Sequence, residues 1–147
     1  MRRKLAAGNW KMNGLLANMA EVQSLIAAFP APQPVDILIC PPATLLGALG
    51  PQCRGSAIAL GGQYCHTATA GAHTGDISAP MLKDAGADYV IVGHSERRAD
   101  HGETNAQVRA QAEAALAQCI QSPESTPVSL QKGGSKIQVG ESPLLKG

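Results

Sequence analysis

The sequence predicts an α/β fold in which a parallel sheet is covered by helices, and three observations predict it. Near-continuous apolar runs such as "VDILIC" (35–40) and "DYVIVG" (88–93) alternate with longer stretches of helical periodicity. Aromatic residues are scarce (Trp10, Phe29, Tyr64 and Tyr89), so the core must be built from Ala, Val, Leu and Ile, which suits close helix-on-sheet packing. Polar residues with catalytic potential follow the apolar runs directly, at the strand ends where such folds gather ligands.

Taken in order, Lys4–Gly8 reads as a first short strand. Leu15 to Phe29 places apolar residues at 15, 19, 22, 26 and 29, one face of a helix. A proline-marked loop leads to the strand Val35–Cys40, which Pro41-Pro42 stops. A helix over Thr44–Leu49 and a third strand in "SAIALGGQ" come next. The polar, glycine-bearing "YCHTATAGAHTGDIS" is a loop, followed by a helix from Ala79-Pro80 to Gly86. Asp88–Gly93 is the fourth strand, with a helix start at Ser95. Thr104-Asn-Ala-Gln107 has capping-box form and opens a helix with Val108, Ala112, Ala115 and Cys119 on one side. After Ile120 the chain becomes rich in Ser, Pro, Gly and Lys, with only "KIQV" resembling a strand. It reads as a disordered tail or one weak strand on a linker. The division expected is therefore residues 1–119 as a folded unit of four β/α pairs and 120–147 as an irregular tail.

At 147 residues and a formal net charge of +1, the chain has the size of one domain and no field to attract nucleic acid or an anionic membrane. The basic start "MRRKLAAGNWKMNG" lacks a following apolar run, so no secretory signal is expected, and no stretch approaches membrane-spanning length. Cys40, Cys53, Cys65 and Cys119 have no CxxC spacing and read as buried thiols, neither disulfide-bonded nor zinc-binding. A cytoplasmic protein without metal or cofactor is expected.

Lys11, in "GNWKMNG" directly after a strand, is either a solvated lysine in a turn or a fixed positive charge for an anionic substrate. In the second reading Asn9 orients it and Trp10 walls off solvent. His94 is either a hydrogen-bonded histidine at a strand end or a ring that faces backbone N–H groups of the helix beginning at Ser95. A neutral imidazole there can donate a hydrogen bond to a carbonyl oxygen without first taking up a proton. Glu96 and Arg97 are surface ion-pair partners or a shell that holds the lysine and the histidine. Gly133-Gly134 before Ser135 has neither a strand before it nor a helix after it, and is read as linker.

Four motifs in order, "GNWKMNG", "CPP", "GGQYCH…GAHTGDIS" and "VIVGHSERR…GET", resemble the triosephosphate isomerase family across residues 3–118. The resemblance implies a (β/α)₈ barrel and a homodimer that interconverts dihydroxyacetone phosphate and glyceraldehyde 3-phosphate through an enediolate. It implies that Asn9 and Lys11 bind substrate, that Lys11 stabilises the developing charge, and that His94 is a neutral electrophile, for which this family is a known example. Glu96 and Ser95 would support these groups. Thr74, Gly75, Gln63 and Arg97 would lie at the subunit contact.

The sequence also departs from that pattern. A full barrel takes about 250 residues, and the family's "YEPVW"-type segment with its proton-abstracting glutamate does not occur here, nor do the later glycine-rich phosphate loops. Glu124 and Glu141 lack the strand context to replace that base. "KIQVGES" resembles the family's fifth strand but arrives late, behind an unrelated stretch. The expectation is a truncated or disrupted copy with little activity alone, its first and fourth strands exposed as sheet edges. The alternative is a non-catalytic half-barrel that pairs with itself or with an intact isomerase subunit.

Overall fold

The computed structural model describes residues 3–118, residue 120 and the backbone of 138–139. Its sheet runs in the order β1 (Leu5–Asn9), β2 (Asp36–Cys40), β3 (Ile58–Gly62), β4 (Tyr89–Val92) and β5 (Gln138–Val139), parallel throughout. Between the strands lie α1 (Met19–Ala28), α2 (Ala43–Cys53) and α3 (Ala79–Asp84). α4 (Ser95–His101) and α5 (Asn105–Ala117) follow β4. The first four strands and their helices form half of a barrel.

Alternation along the strands builds two apolar layers. Ile39, Ile58, Leu60, Val90 and Val92 face the helices, where they meet Val22, Leu45, Leu46, Leu49, Leu82, Val108 and Ala115 in the main core. Their neighbours Leu38, Cys40, Tyr89 and Ile91 face the other way and form a second cluster, with Leu5 and Ala59 against it. Such two-faced burial explains why the strands read as unbroken apolar runs. Each fully buried leucine contributes about 1.5–3 kcal/mol through removal of apolar surface from water.

Several elements differ from the sequence expectation. The face expected over Leu15–Phe29 is shorter: a 3₁₀ turn (Leu16–Asn18) precedes α1, Val22 is fully buried, yet Leu15 is 74% and Phe29 41% exposed. Leu15 precedes the helix and Phe29 terminates it just before Pro30, so neither is carried on the buried face. α2 extends to Cys53, past Pro51, which forfeits one helical hydrogen bond by lacking an N–H, while the Arg54 amide still closes the last turn on the Gly50 carbonyl. Gly50 permits that extension, since a Cβ there would stand 2.3 Å from the Ala85 carbonyl oxygen at the end of α3. The fourth strand is not an open edge, because Ile91 and Val92 pair with Gln138 and Val139, two residues of the "KIQV" stretch that resembles a strand. β1 is an edge as expected, paired only with β2 among the described residues.

The expected capping box is present. Thr104 Oγ1 accepts from the Gln107 amide at 3.3 Å and Gln107 Oε1 accepts from the Thr104 amide at 2.8 Å, a reciprocal box at the start of α5. Ser78 caps α3 through the Met81 amide. Cys40, Cys53 and Cys65 are buried free thiols, and burial pushes Cys40 and Cys65 up to about 12. Cys119 and the Gly133-Gly134 segment lie outside the described residues.

Gly93 links β4 to the polar cluster at φ +67°, and a Cβ there would meet Val108 methyl carbons at 2.7 and 3.0 Å. Gly93→Ala therefore combines a left-handed backbone penalty with overpacking and should destabilise the fold by about 2–5 kcal/mol. Gly55→Ala, at φ +77° with nothing within 4 Å, incurs only the backbone penalty of about 1–2 kcal/mol. Urea unfolding of both variants checks the contrast, and equal losses would contradict it.

Candidate active site

The carboxyl ends of the strands open onto one cleft of about 460 Å³, lined by Asn9, Lys11, Gln63, His94, Glu96 and Arg97 among others. Parallel pairing explains the convergence, because the in-register partners Asn9 and Cys40 place the ends of β1 and β2 side by side.

Lys11 adopts φ +55°, the only described non-glycine residue with positive φ. That conformation costs a side-chain-bearing residue about 1–2 kcal/mol, and its surroundings offset the cost. The Lys11 amide donates to Asn9 Oδ1 at 2.9 Å. Gln63 Nε2, just beyond β3, donates to the Lys11 carbonyl at 2.8 Å and to the Cys40 carbonyl at 2.9 Å. One amide thus ties the outgoing chain after β1 to the end of β2. Trp10 turns away from the cleft: it packs against the main core, with its ring over Gly14, and does not screen the lysine as expected.

From this turn the Lys11 ammonium reaches Glu96, with Nζ 2.5 Å from Oε1. Glu96 belongs to the first turn of α4. Its amide donates to His94 Nδ1 at 3.1 Å, making the histidine the N-cap of that helix. An Nδ1 that accepts places the proton of a neutral ring on Nε2, the nitrogen available to donate to a ligand. Glu96 Oε2 stands 3.7 Å from Nδ1, so the carboxylate lies between lysine and histidine. The Lys11 hydrogen bond is the main cause that holds the Glu96 carboxyl below its ordinary value. Both ion-pair partners are about half exposed, and the contact positions charge more than it stabilises the fold.

Arg97 has an intrachain task. Its Nε pairs with Glu103 Oε1 at 2.5 Å, and its guanidinium lies 4.0 Å from the centre of the Tyr64 ring. Tyr64 donates in turn to Asp76 Oδ1 at 3.1 Å, and burial followed by that contact pushes its phenol up to about 12. Thr74 and Gly75 lie exposed on the loop between β3 and α3, away from the cleft lining, and Ser95 opens α4 without lining the cleft.

Sequence alone assigns no role to Glu103, Tyr64, Asp100 or His101. For Asp100 and His101 a signal existed. They lie four residues after Glu96 and Arg97, one helical turn further on the same face, and line the cleft with them. For Glu103 the signal was weaker, because Gly102, at φ +65°, reverses the chain to bring it back to Arg97.

The family model for triosephosphate isomerase matches residues 4–122. The chain belongs to the triosephosphate isomerase family. It is 64% identical over 115 residues to the triosephosphate isomerase of Dinoroseobacter shibae, a match covering 78% of this chain and 46% of that protein. A second relative, from Ruegeria sp. (strain TM1040), is 62% identical over 117 residues, covering 80% of this chain and 46% of the relative. Among solved structures, the crystal structure of triosephosphate isomerase from Bartonella henselae superposes with a TM-score of 0.78 at 46% identity, covering 82% of this chain and 50% of that one. The chain thus spans about half the length of the curated relatives it matches.

Because the folded-state value of Glu96 is depressed, its pair with Lys11 is intact at neutral pH and lost as pH falls through that value. A carboxyl-carbon NMR titration should give Glu96 a midpoint below that of an ordinary glutamate, and Lys11→Met should move it upward. An unchanged midpoint would show that Lys11 is not its main partner.

Proposed function

We infer that this chain contributes the electrophilic side of a site that interconverts dihydroxyacetone phosphate and glyceraldehyde 3-phosphate. The observation that carries this reading is the convergence of Lys11 and His94 on either side of Glu96, at the ends of β1 and β4. Asn9 and Lys11 bind the substrate. As a proton leaves the carbon next to the carbonyl, charge grows on the substrate oxygens. The Lys11 ammonium stabilises that charge by Coulomb attraction, and His94 Nε2–H donates to the oxygens from a neutral ring. The left-handed turn at Lys11 and the capping bond at His94 hold both donors before substrate arrives, so little reorganisation accompanies the reaction.

A positioned base is the other requirement, commonly worth about 10²–10⁴-fold. Among the described residues the carboxylates that line the cleft are Glu96 and Asp100. Glu96 is engaged by Lys11 and made less basic by it, which suits a positioning role and not proton abstraction. The 147-residue chain by itself is therefore expected to turn over substrate little above the buffer rate. A coupled assay checks the rate, and turnover that disappears in Lys11→Ala and His94→Ala would overturn the expected inactivity. Binding is checked separately. Dihydroxyacetone phosphate should shift the His94 ring nitrogen resonances, Lys11→Met should abolish the shift, and unshifted resonances in the unsubstituted chain would end the substrate assignment.

This reading brings with it a cytoplasmic setting. It also implies a homodimer whose contact includes Thr74, Gly75, Gln63 and Arg97. The exposure of Thr74 and Gly75 supports their share of that contact. A second reading, a non-catalytic half-barrel that pairs through its sheet, is favoured by the exposure of Ala6, Ala7 and Gly8 along β1. Light scattering after size exclusion distinguishes the cases, because a clean monomer removes both the dimer and the pairing.

A further inference from the structure

The loop between β3 and α3 closes on itself. At its neck the His66 amide donates to the Ile77 carbonyl at 2.7 Å, and His66 forms a parallel bridge with Ser78. At its far end Gly71, at φ +143°, reverses the chain so that the His73 ring returns over the neck and stacks on His66, with centroids 4.0 Å apart and planes 28° apart. Asp76, whose amide donates to the His73 carbonyl, brings Oδ2 to 3.8 Å from His66 Nε2. Its other oxygen is occupied by the Tyr64 hydroxyl. Two imidazoles and one carboxylate oxygen therefore face one another, with ligating atoms all within 4.8 Å.

The geometry points to a binding site for one borderline divalent transition ion, such as Zn²⁺, held by His66, His73 and Asp76 and clasping the tip of this loop to its neck. Two nitrogens and one carboxylate oxygen are the donor set that imidazole-preferring ions favour over Mg²⁺ or Ca²⁺. Tetrahedral ligands at about 2.0–2.1 Å from zinc lie about 3.4 Å apart, so the present spacing of up to 4.8 Å needs an inward movement of about 1.4 Å, together with a rotation of the stacked His73 ring that turns its nitrogen lone pair onto the ion. His73 and Asp76 are exposed loop residues and can make it, whereas His66 is anchored at the neck. The Tyr64 hydroxyl on Oδ1 orients the carboxylate from behind, as outer partners of metal ligands do. In the chain unpaired at Thr74 and Gly75, the remaining coordination position is left to water.

One hydrogen bond must change. His66 Nδ1 accepts from the Ala68 amide at 2.9 Å, which keeps the neutral ring's proton on Nε2. An ion on Nε2 needs that proton moved to Nδ1, so the Ala68 amide loses its acceptor. No net proton is released from the ring, and the lost hydrogen bond is small beside a metal–imidazole bond.

Zn²⁺ titrated into the full chain by calorimetry should bind at one equivalent, and the Ala68 amide resonance should shift with the same saturation. His73→Ala and Asp76→Asn, both on the exposed loop, should each weaken binding at least tenfold with an unchanged far-ultraviolet circular dichroism spectrum. Cys40, Cys53 and Cys65 are buried and do not compete in the folded protein. No heat up to millimolar Zn²⁺, an affinity unmoved by His73→Ala, or an Ala68 amide that stays in place at saturation would each overturn the three-ligand site. The Ala68 measurement needs no variant, so it decides the matter even if a substituted loop misfolds.

Discussion

The side chain of Gln63 donates two hydrogen bonds, one to the carbonyl of Lys11 and one to that of Cys40. It stands just past the third strand and holds the ends of the first two. The Cys40 carbonyl also accepts from the Trp10 amide at 3.0 Å, so it is the Lys11 carbonyl that leans most on this contact, which together with Asn9 holds the left-handed backbone at Lys11. Because the turn at Lys11 sets where the ammonium goes, the ion pair with Glu96 and the spacing to His94 depend on this contact. The contact depends in turn on the parallel register, which brings β1, β2 and β3 to a common level.

Stability and chemistry occupy different parts of the half-barrel. The helix-facing layer of leucines, valines and isoleucines is buried, and small residues let the layers approach: Gly50 against the Ala85 carbonyl, Gly93 against Val108. The rim carries the left-handed lysine, exposed charges and a histidine that uses its own ring to cap a helix. Strain of this kind persists only where the surrounding structure over-determines it, and the packed layer beneath provides that constraint.

Charge on the rim is arranged in two linked sets. Lys11, Glu96 and His94 form one, in which the carboxylate accepts from the ammonium and the Glu96 amide donates to the histidine ring. Arg97, Glu103, Tyr64 and Asp76 form the other, an ion pair and a cation–π contact continued by a hydrogen bond. Glu96 and Arg97 are neighbours on α4, so a single short helix orients both sets. The second set ends at the loop that carries His66, His73 and Asp76, and the wall of the cleft is thereby continuous with that loop.

Much of this was legible in the amino-acid sequence alone. Apolar runs and helical periods located the first four strands, and the Thr104–Gln107 box marked a helix start, because local hydrogen bonding and burial on both sheet faces act over a few residues. Lys11, Asn9, His94 and Glu96 stood out because they follow strands. What sequence misplaced depended on distant partners. Leu15 and Phe29 matched a helical face that the helix does not reach, and Trp10 turned to the core because Gly14 left room for its ring. The intrachain partners of Gln63 and Arg97, two backbone carbonyls and Glu103, were likewise not legible before folding brought them together. His66, His73 and Asp76 look like ordinary loop residues until Gly71 folds one ring over the other. Periodicity is a local property and survives in the sequence, whereas the pairing of side chains far apart in the chain is decided only when sheet register and loop closure set the distances between them.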